Sequence, residues 1–146
     1  MWSKVIPTVL CVFCFLAVIR SQVLKPVDLA DYYDCWTYAE CFTDSSAHQG
    51  IMDCFNSIGK DVEPMFKFVN ETFYTYHTDS IAEAMEEYCD LCGDAKYYAY
   101  EETLNGIFYY QNKACRARLR RQCSSSEKML KCFFKLLDGL KDQGLC

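Results

Sequence analysis

The sequence predicts an all-α protein: a disulfide-stapled bundle of five or six helices in a single domain. Apolar residues recur at three- and four-residue spacing along most of the chain, and extended period-2 alternation is scarce. Eleven cysteines in 146 residues supply the staples.

At the N-terminus "MWSK" precedes the uncharged run "VIPTVLCVFCFLAVI", the charged start and apolar middle of a secretory signal peptide. With the small Ser21 before the cut, residues 1–21 are expected to be the signal and residues 22–146 the helical cysteine-rich domain. The run is too short for a membrane span, and no later segment approaches the required length. The chain is therefore expected to be secreted and extracellular, without a stable membrane span. Export leaves nine cysteines in an oxidising setting: Cys35, Cys41, Cys54, Cys89, Cys92, Cys115, Cys123, Cys132 and Cys146. Four bridges leave one thiol, for which the terminal Cys146 is the candidate, and an odd cysteine is also a route to a disulfide-linked dimer.

Each helix follows from its own signals. The first, in "VDLADYYDCWTYAECF", starts after Pro26 and Asp28 and carries Leu29, Tyr32, Tyr33 and Trp36 as its stripe. Cys35 and Cys41 lie about 120° apart around it, so they must reach different neighbours. The second places Ala47, Ile51, Cys54, Phe55 and Ile58 on one face and stops at Gly59. The third begins after Asp61, with Pro64 in its first turn and a stripe from Val62 through Met65, Phe66, Val69 and Phe73 to Tyr76. "SIAE" opens the fourth as a capping box of Ser80 and Glu83, and Tyr88, Cys89 and Cys92 share its buried face. A long fifth helix is expected over about 95–122, with Gly106 as a bend. The sixth is expected to start at "SSSE", capped by Ser124 and Glu127, and to bury Met129, Leu130, Phe133, Leu136, Leu137 and Leu140. Connections are short, and nothing divides the mature chain.

Charge is segregated. Residues 28–102 carry 17 acids against 3 bases, and residues 103–146 carry 3 against 9. The acidic total disfavours nucleic acid as a partner, because affinity for it depends on neutralising phosphates. The two halves are expected to face each other within the fold.

"CDLC" at Cys89 and Cys92 is the first candidate for chemistry. A redox pair of this spacing works at a helix N-terminus, whereas this one is expected to end its helix amid Glu86, Glu87, Asp90 and Asp94. A zinc site needs a second ligand pair, and no other CxxC or HxxxH exists, so no metal and no cofactor are expected. Both thiols are expected to bond neighbouring segments. His48 and His77 both sit in the acidic half, where an acid/base pair for a polyanion is misplaced, and His77 is expected to cap a helix. Without GxSxG or a His-Asp dyad, no catalytic residues and no enzyme are expected. In "KACRARLRR" a solvated helical face is the preferred reading. Arg118, Leu119, Arg120 and Arg121 also spell the RxRR pattern cut by furin-like proteases, but a stable helix denies the extended chain that cleavage requires. "NET" places a candidate glycosylation site at Asn70.

The spacing of Cys115, Cys123 and Cys132, with eight residues between the last two, resembles the end of the insect odorant-binding cysteine pattern. Cys89 and Cys92 enclose two residues where that family has three, and Cys35, Cys41 and Cys146 have no counterparts in it. "CDLC" also resembles the opening of saposin-like lipid-binding domains. Either resemblance implies a carrier of a small apolar ligand or lipid, and no ligand-binding residue is transferred from either. The residues themselves favour a packed core and a nonenzymatic extracellular protein that binds another protein, as a venom, salivary or other invertebrate secreted factor would.

Overall fold

The helical periodicity is realised as six α-helices in a computed structural model that describes residues 27–146, so the expected signal at 1–21 lies outside the described residues. They are α1 (Tyr33–Cys41), α2 (Ser46–Asn56), α3 (Val62–Thr72), α4 (Ile81–Asp90), α5 (Gly93–Arg116) and α6 (Arg120–Asp142), with short 3-10 turns at Leu29–Tyr32 and Gly59–Asp61. No strand occurs among the described residues. The long α5 and α6 pack against each other, α2 and α1 lie on α6, α3 lies on α5, and α4 bridges α1 and α5.

Local chemistry explains most boundaries. Asp28 accepts from the Ala30 amide and starts the 3-10 turn before α1; Ser45 caps α2 by accepting from the His48 amide. Ser80 caps α4 by accepting from the Glu83 amide, but the capping box does not close as expected. The Glu83 carboxylate accepts from the Thr78 hydroxyl instead, and the Thr78 oxygen takes the Ser80 amide at 3.0 Å. The chain reverses before α4 and puts threonine where the glutamate would have reached back.

The second half departs further from expectation. The fifth helix ends at Arg116, not near Gln122, and α6 already begins at Arg120. Arg118 adopts a left-handed conformation (φ 58°) that breaks the run, and the Cys115–Cys123 bridge clamps the two helix ends at a Cα separation of 4.7 Å. Ser124 is therefore inside α6 and caps nothing, while Glu127 pairs with Lys131 at 2.6 Å. Gly106 introduces no break in α5. A Cβ there would stand 3.1 Å from both Val69 and Phe73, so the glycine lets α3 approach α5 closely.

The core contains Trp36, Ile51, Met65, Tyr88, Tyr100, Leu104, Met129 and Phe133. Trp36 and Phe55 both meet Phe133 edge-on, at 5.2 and 5.0 Å, tying α1 and α2 to α6. Buried tyrosines keep partners: Tyr100 donates to the Leu29 carbonyl at 2.5 Å, and Tyr76 and Thr103 share a hydrogen bond of 2.8 Å. The halves of opposite charge do not neutralise each other as expected. Among the described residues one ion pair, Arg121–Asp61, joins them.

Four bridges close the bundle: Cys35–Cys146, Cys41–Cys89, Cys54–Cys132 and Cys115–Cys123. Cys35 and Cys41 do reach different neighbours. Cys146 is bridged rather than free, because its sulfur meets the buried Cys35 on α1. The unpaired thiol is Cys92, which is exposed. It does not share the buried face of α4, since that helix stops at Asp90 and Cys92 is instead the N-cap residue of α5.

Candidate functional site

Two regions could carry function: a buried carboxyl inside the bundle and an aromatic face outside it. The carboxyl belongs to Glu40, which sequence reading passed over. Its signal was legible: Glu40 follows Trp36 by four residues and continues the Leu29, Tyr33, Trp36 stripe into the core. It is 6% exposed. Burial pushes its carboxyl up to about 8, against the opposing pull of the Trp36 side chain, which donates to it, and of the Lys96 charge. At neutral pH Glu40 is therefore largely a protonated acid.

Glu40 borders a small apolar cavity with Trp36, Met65, Val69, Tyr76, Met85 and Ile107. Its volume is about 30 Å³. A site for a small organic ligand needs roughly 300 Å³. The interior thus holds space for a water-sized guest beside one acid.

The histidines do not form a pair of catalytic type. His48 is half-buried, with Nδ1 facing the carbonyl oxygens of Glu40 (2.9 Å) and Ala39 (3.2 Å), so Nδ1 carries the proton and ties α2 to the end of α1. His77 does not end a helix as expected. It lies in the connection after α3, exposed, with its amide and ring nitrogen on the Glu87 carboxylate at 2.9 and 2.8 Å. Burial alone would raise Glu87, but these bonds outweigh it and hold the carboxyl below its usual range. No group of three or more His, Cys, Asp or Glu side chains gathers as a metal site among the described residues.

Cys89 and Cys92 are neither a redox bridge nor two staples: Cys89 bonds Cys41, and Cys92 bonds nothing. Asn70 is half-buried at the end of α3, where its side-chain oxygen accepts from the Tyr76 amide at 2.5 Å. The basic segment is not one helical face. Residues 116–121 form an exposed corner, with Lys113 set over the Phe68 ring on one side and Arg121 paired with Asp61 at 2.8 Å on the other.

The aromatic face lies along α3 and α5. Tyr109, 57% exposed, stacks on Phe68 (6.0 Å, interplanar 8°) and leans on Phe73 at 5.5 Å. Tyr98, 55% exposed, extends the face through an edge contact with Tyr74. An open groove of about 840 Å³ runs beside it along α5, lined by Phe73, Glu102, Asn105, Tyr109, Asn112, Lys113 and Arg116. Comparison with known protein families, curated proteins and solved structures finds no match to this chain.

The eleven tyrosines and ten phenylalanines are plain in the sequence, but which of them meet solvent is set by packing. Tyr98 and Tyr109 face outward because Tyr100, Leu104, Ile107 and Phe108 occupy the buried side of the same helix.

Proposed function

We propose that this chain is a secreted, nonenzymatic protein that acts by binding another protein outside the cell, through the aromatic face of α3 and α5. Four intramolecular disulfides fit an oxidising compartment, and no described helix is long and apolar enough to cross a membrane. The observation that carries the reading is the exposed Tyr109, packed on the half-buried Phe68 and Phe73, with the exposed Tyr98 further along α5 beside Tyr74. Tyrosine at a protein interface supplies a large rigid contact at little entropic cost and keeps its hydroxyl satisfied in water. The closed interior supports the same reading, since an apolar carrier requires a cavity ten times larger than the one beside Glu40. Asn70 carries a glycan in this account: its oxygen is engaged by Tyr76, and its nitrogen is the atom to which a glycan attaches.

Fluorescently labelled mature protein on intact cells should bind saturably, lose that binding when the cells are treated with protease, and bind about tenfold or more weakly as the Tyr98→Ser, Tyr109→Ser variant. Native mass spectrometry of source-purified protein should find no copurified lipid. A copurified apolar molecule, or a saturable micromolar site for a fluorescent lipid probe, would transfer the function to the carrier alternative.

A further inference from the structure

We infer that the corner joining α5 to α6 is a binding site for a sulfated polysaccharide. Arg116, Arg118 and Arg120 are exposed there, and none of them forms an ion pair among the described residues. Arg121 spends its charge on Asp61, which also accepts from Ser125 at 2.6 Å, so that acid is already neutralised. The free guanidinium groups are gathered by covalent geometry, because the Cys115–Cys123 bridge holds the flanking helix ends together. A corner with this fixed shape gathers its cations without the entropy cost of ordering a loop.

Two further features point to an anion. Leu119 occupies the N-cap of α6 and offers no side-chain cap, and Cys123 is the first amide bonded into the helix, to the Leu119 carbonyl at 2.8 Å. The amides of Arg120, Arg121 and Gln122 thus precede the first helical bond, a donor set suited to a tetrahedral oxyanion. Arg118 is held at φ 58°, a conformation that glycine would adopt at lower cost, and the arginine brings a charge to the apex.

The ligand is read as a sugar chain because the groove along α5 runs into this corner. Asn105 and Asn112 offer carboxamides for hydroxyl groups, Tyr109 offers a ring face for a pyranose, and Lys113 and Arg116 lie at the basic end. Guanidinium matches sulfate through paired N–H donors. An acidic protein can hold such a ligand because its bases are concentrated at one end. The site shares Tyr109 and the extracellular setting with the proposed protein-binding face, but its arginines lie outside that face, so the arginine variants test it with Tyr98 and Tyr109 left in place.

The test is the affinity of the full mature chain for a fluorescent heparin decasaccharide at about 0.15 M salt. Saturable binding is expected, weakening steeply with added salt and not competed by fully desulfated heparin. The Arg116→Glu, Arg118→Glu, Arg120→Glu variant should bind about thirtyfold or more weakly, while the corresponding triple Lys variant stays within about fivefold of the wild type. Near-ultraviolet circular dichroism checks the fold of both, and if the Glu variant unfolds, the desulfated competitor and the Lys variant decide. Competition by desulfated heparin, or unchanged affinity in the Glu variant, would overturn the inference. Equal or tighter retention on phosphatidylcholine–phosphatidylserine vesicles would overturn it in favour of a membrane surface.

Discussion

Replacing Glu40 by glutamine should change how stability depends on pH more than it changes stability itself. The folded carboxyl holds its proton up to about 8, whereas in the unfolded chain it releases it near 4.5. Between these values the folded state binds more protons than the unfolded one, so stability falls as pH rises through that window. Below it both states are protonated and above it both are ionised, so the contribution is flat on either side. A separation of 3.5 units at about 1.4 kcal/mol each amounts to roughly 4–5 kcal/mol lost between pH 4.5 and 8. That is a large share of the roughly 5–15 kcal/mol that holds most domains together. Glutamine keeps the shape and can still accept from Trp36, but it does not ionise. The assay is guanidinium unfolding with disulfides intact, at pH 5 and pH 8.5, for both proteins. The two should have similar stability at pH 5, and the glutamine variant should be several kcal/mol more stable at pH 8.5. Subtracting the two profiles removes the opposite contribution of Glu87, whose lowered carboxyl adds stability that is lost as pH falls. Parallel profiles across this range would refute a buried, protonated Glu40.

Gly106→Ala should cost about 1–2 kcal/mol despite the better helix propensity of alanine, because Val69 is buried and cannot retreat from the new methyl group. Gly50→Ala, by contrast, should be within about 1 kcal/mol of neutral, since its Cβ meets only the tip of the half-buried Leu136; thermal unfolding of the two variants makes the comparison. Maleimide labelling of the native, nonreduced mature protein should modify Cys92 and leave Cys146 untouched, and peptide mapping should return the four bridges; a labelled Cys146 would contradict the Cys35–Cys146 pairing. Limited proteolysis should cut first within residues 116–121, where the chain is exposed and leaves its helix. A cut after Arg121 should release no fragment until reduction, because Cys115–Cys123, Cys54–Cys132 and Cys35–Cys146 all span it; early release without reductant would show a different pairing.

The helical stripes, the starts of the early helices and the inability of Cys35 to bond Cys41 were legible in the sequence, because each depends on residues within a few turns of one another. Leu29 and Trp36 on α1, Ile51 on α2 and Phe133 on α6 are buried as their spacing requires. The end of α5 was not legible. Nothing in "KACRARLRR" forbids a continuous helix, and the break at Arg118 follows from a bridge between cysteines eight residues apart. Two caps were read from serine patterns; Ser80 caps α4, yet Ser124 lies inside a helix that had already begun.

Local periodicity by itself determined that this chain forms helices with apolar stripes, and the number of cysteines that one thiol would remain over. Only the tertiary structure decided which thiol that is, since pairing depends on which helix faces come within bonding distance, and the terminus of the chain reaches back to α1 while Cys92 turns outward at the start of α5. Tertiary structure likewise decided the chemistry of Glu40. A glutamate on a helical stripe is ordinarily drawn to water, and it becomes a neutral buried acid here because Trp36, Met65, Met85 and Tyr76, from four different segments, close around it. Exposure of Tyr98 and Tyr109 has the same origin: their ring chemistry is fixed by residue type, but whether a ring meets core or solvent depends on which face of α5 its neighbours cover.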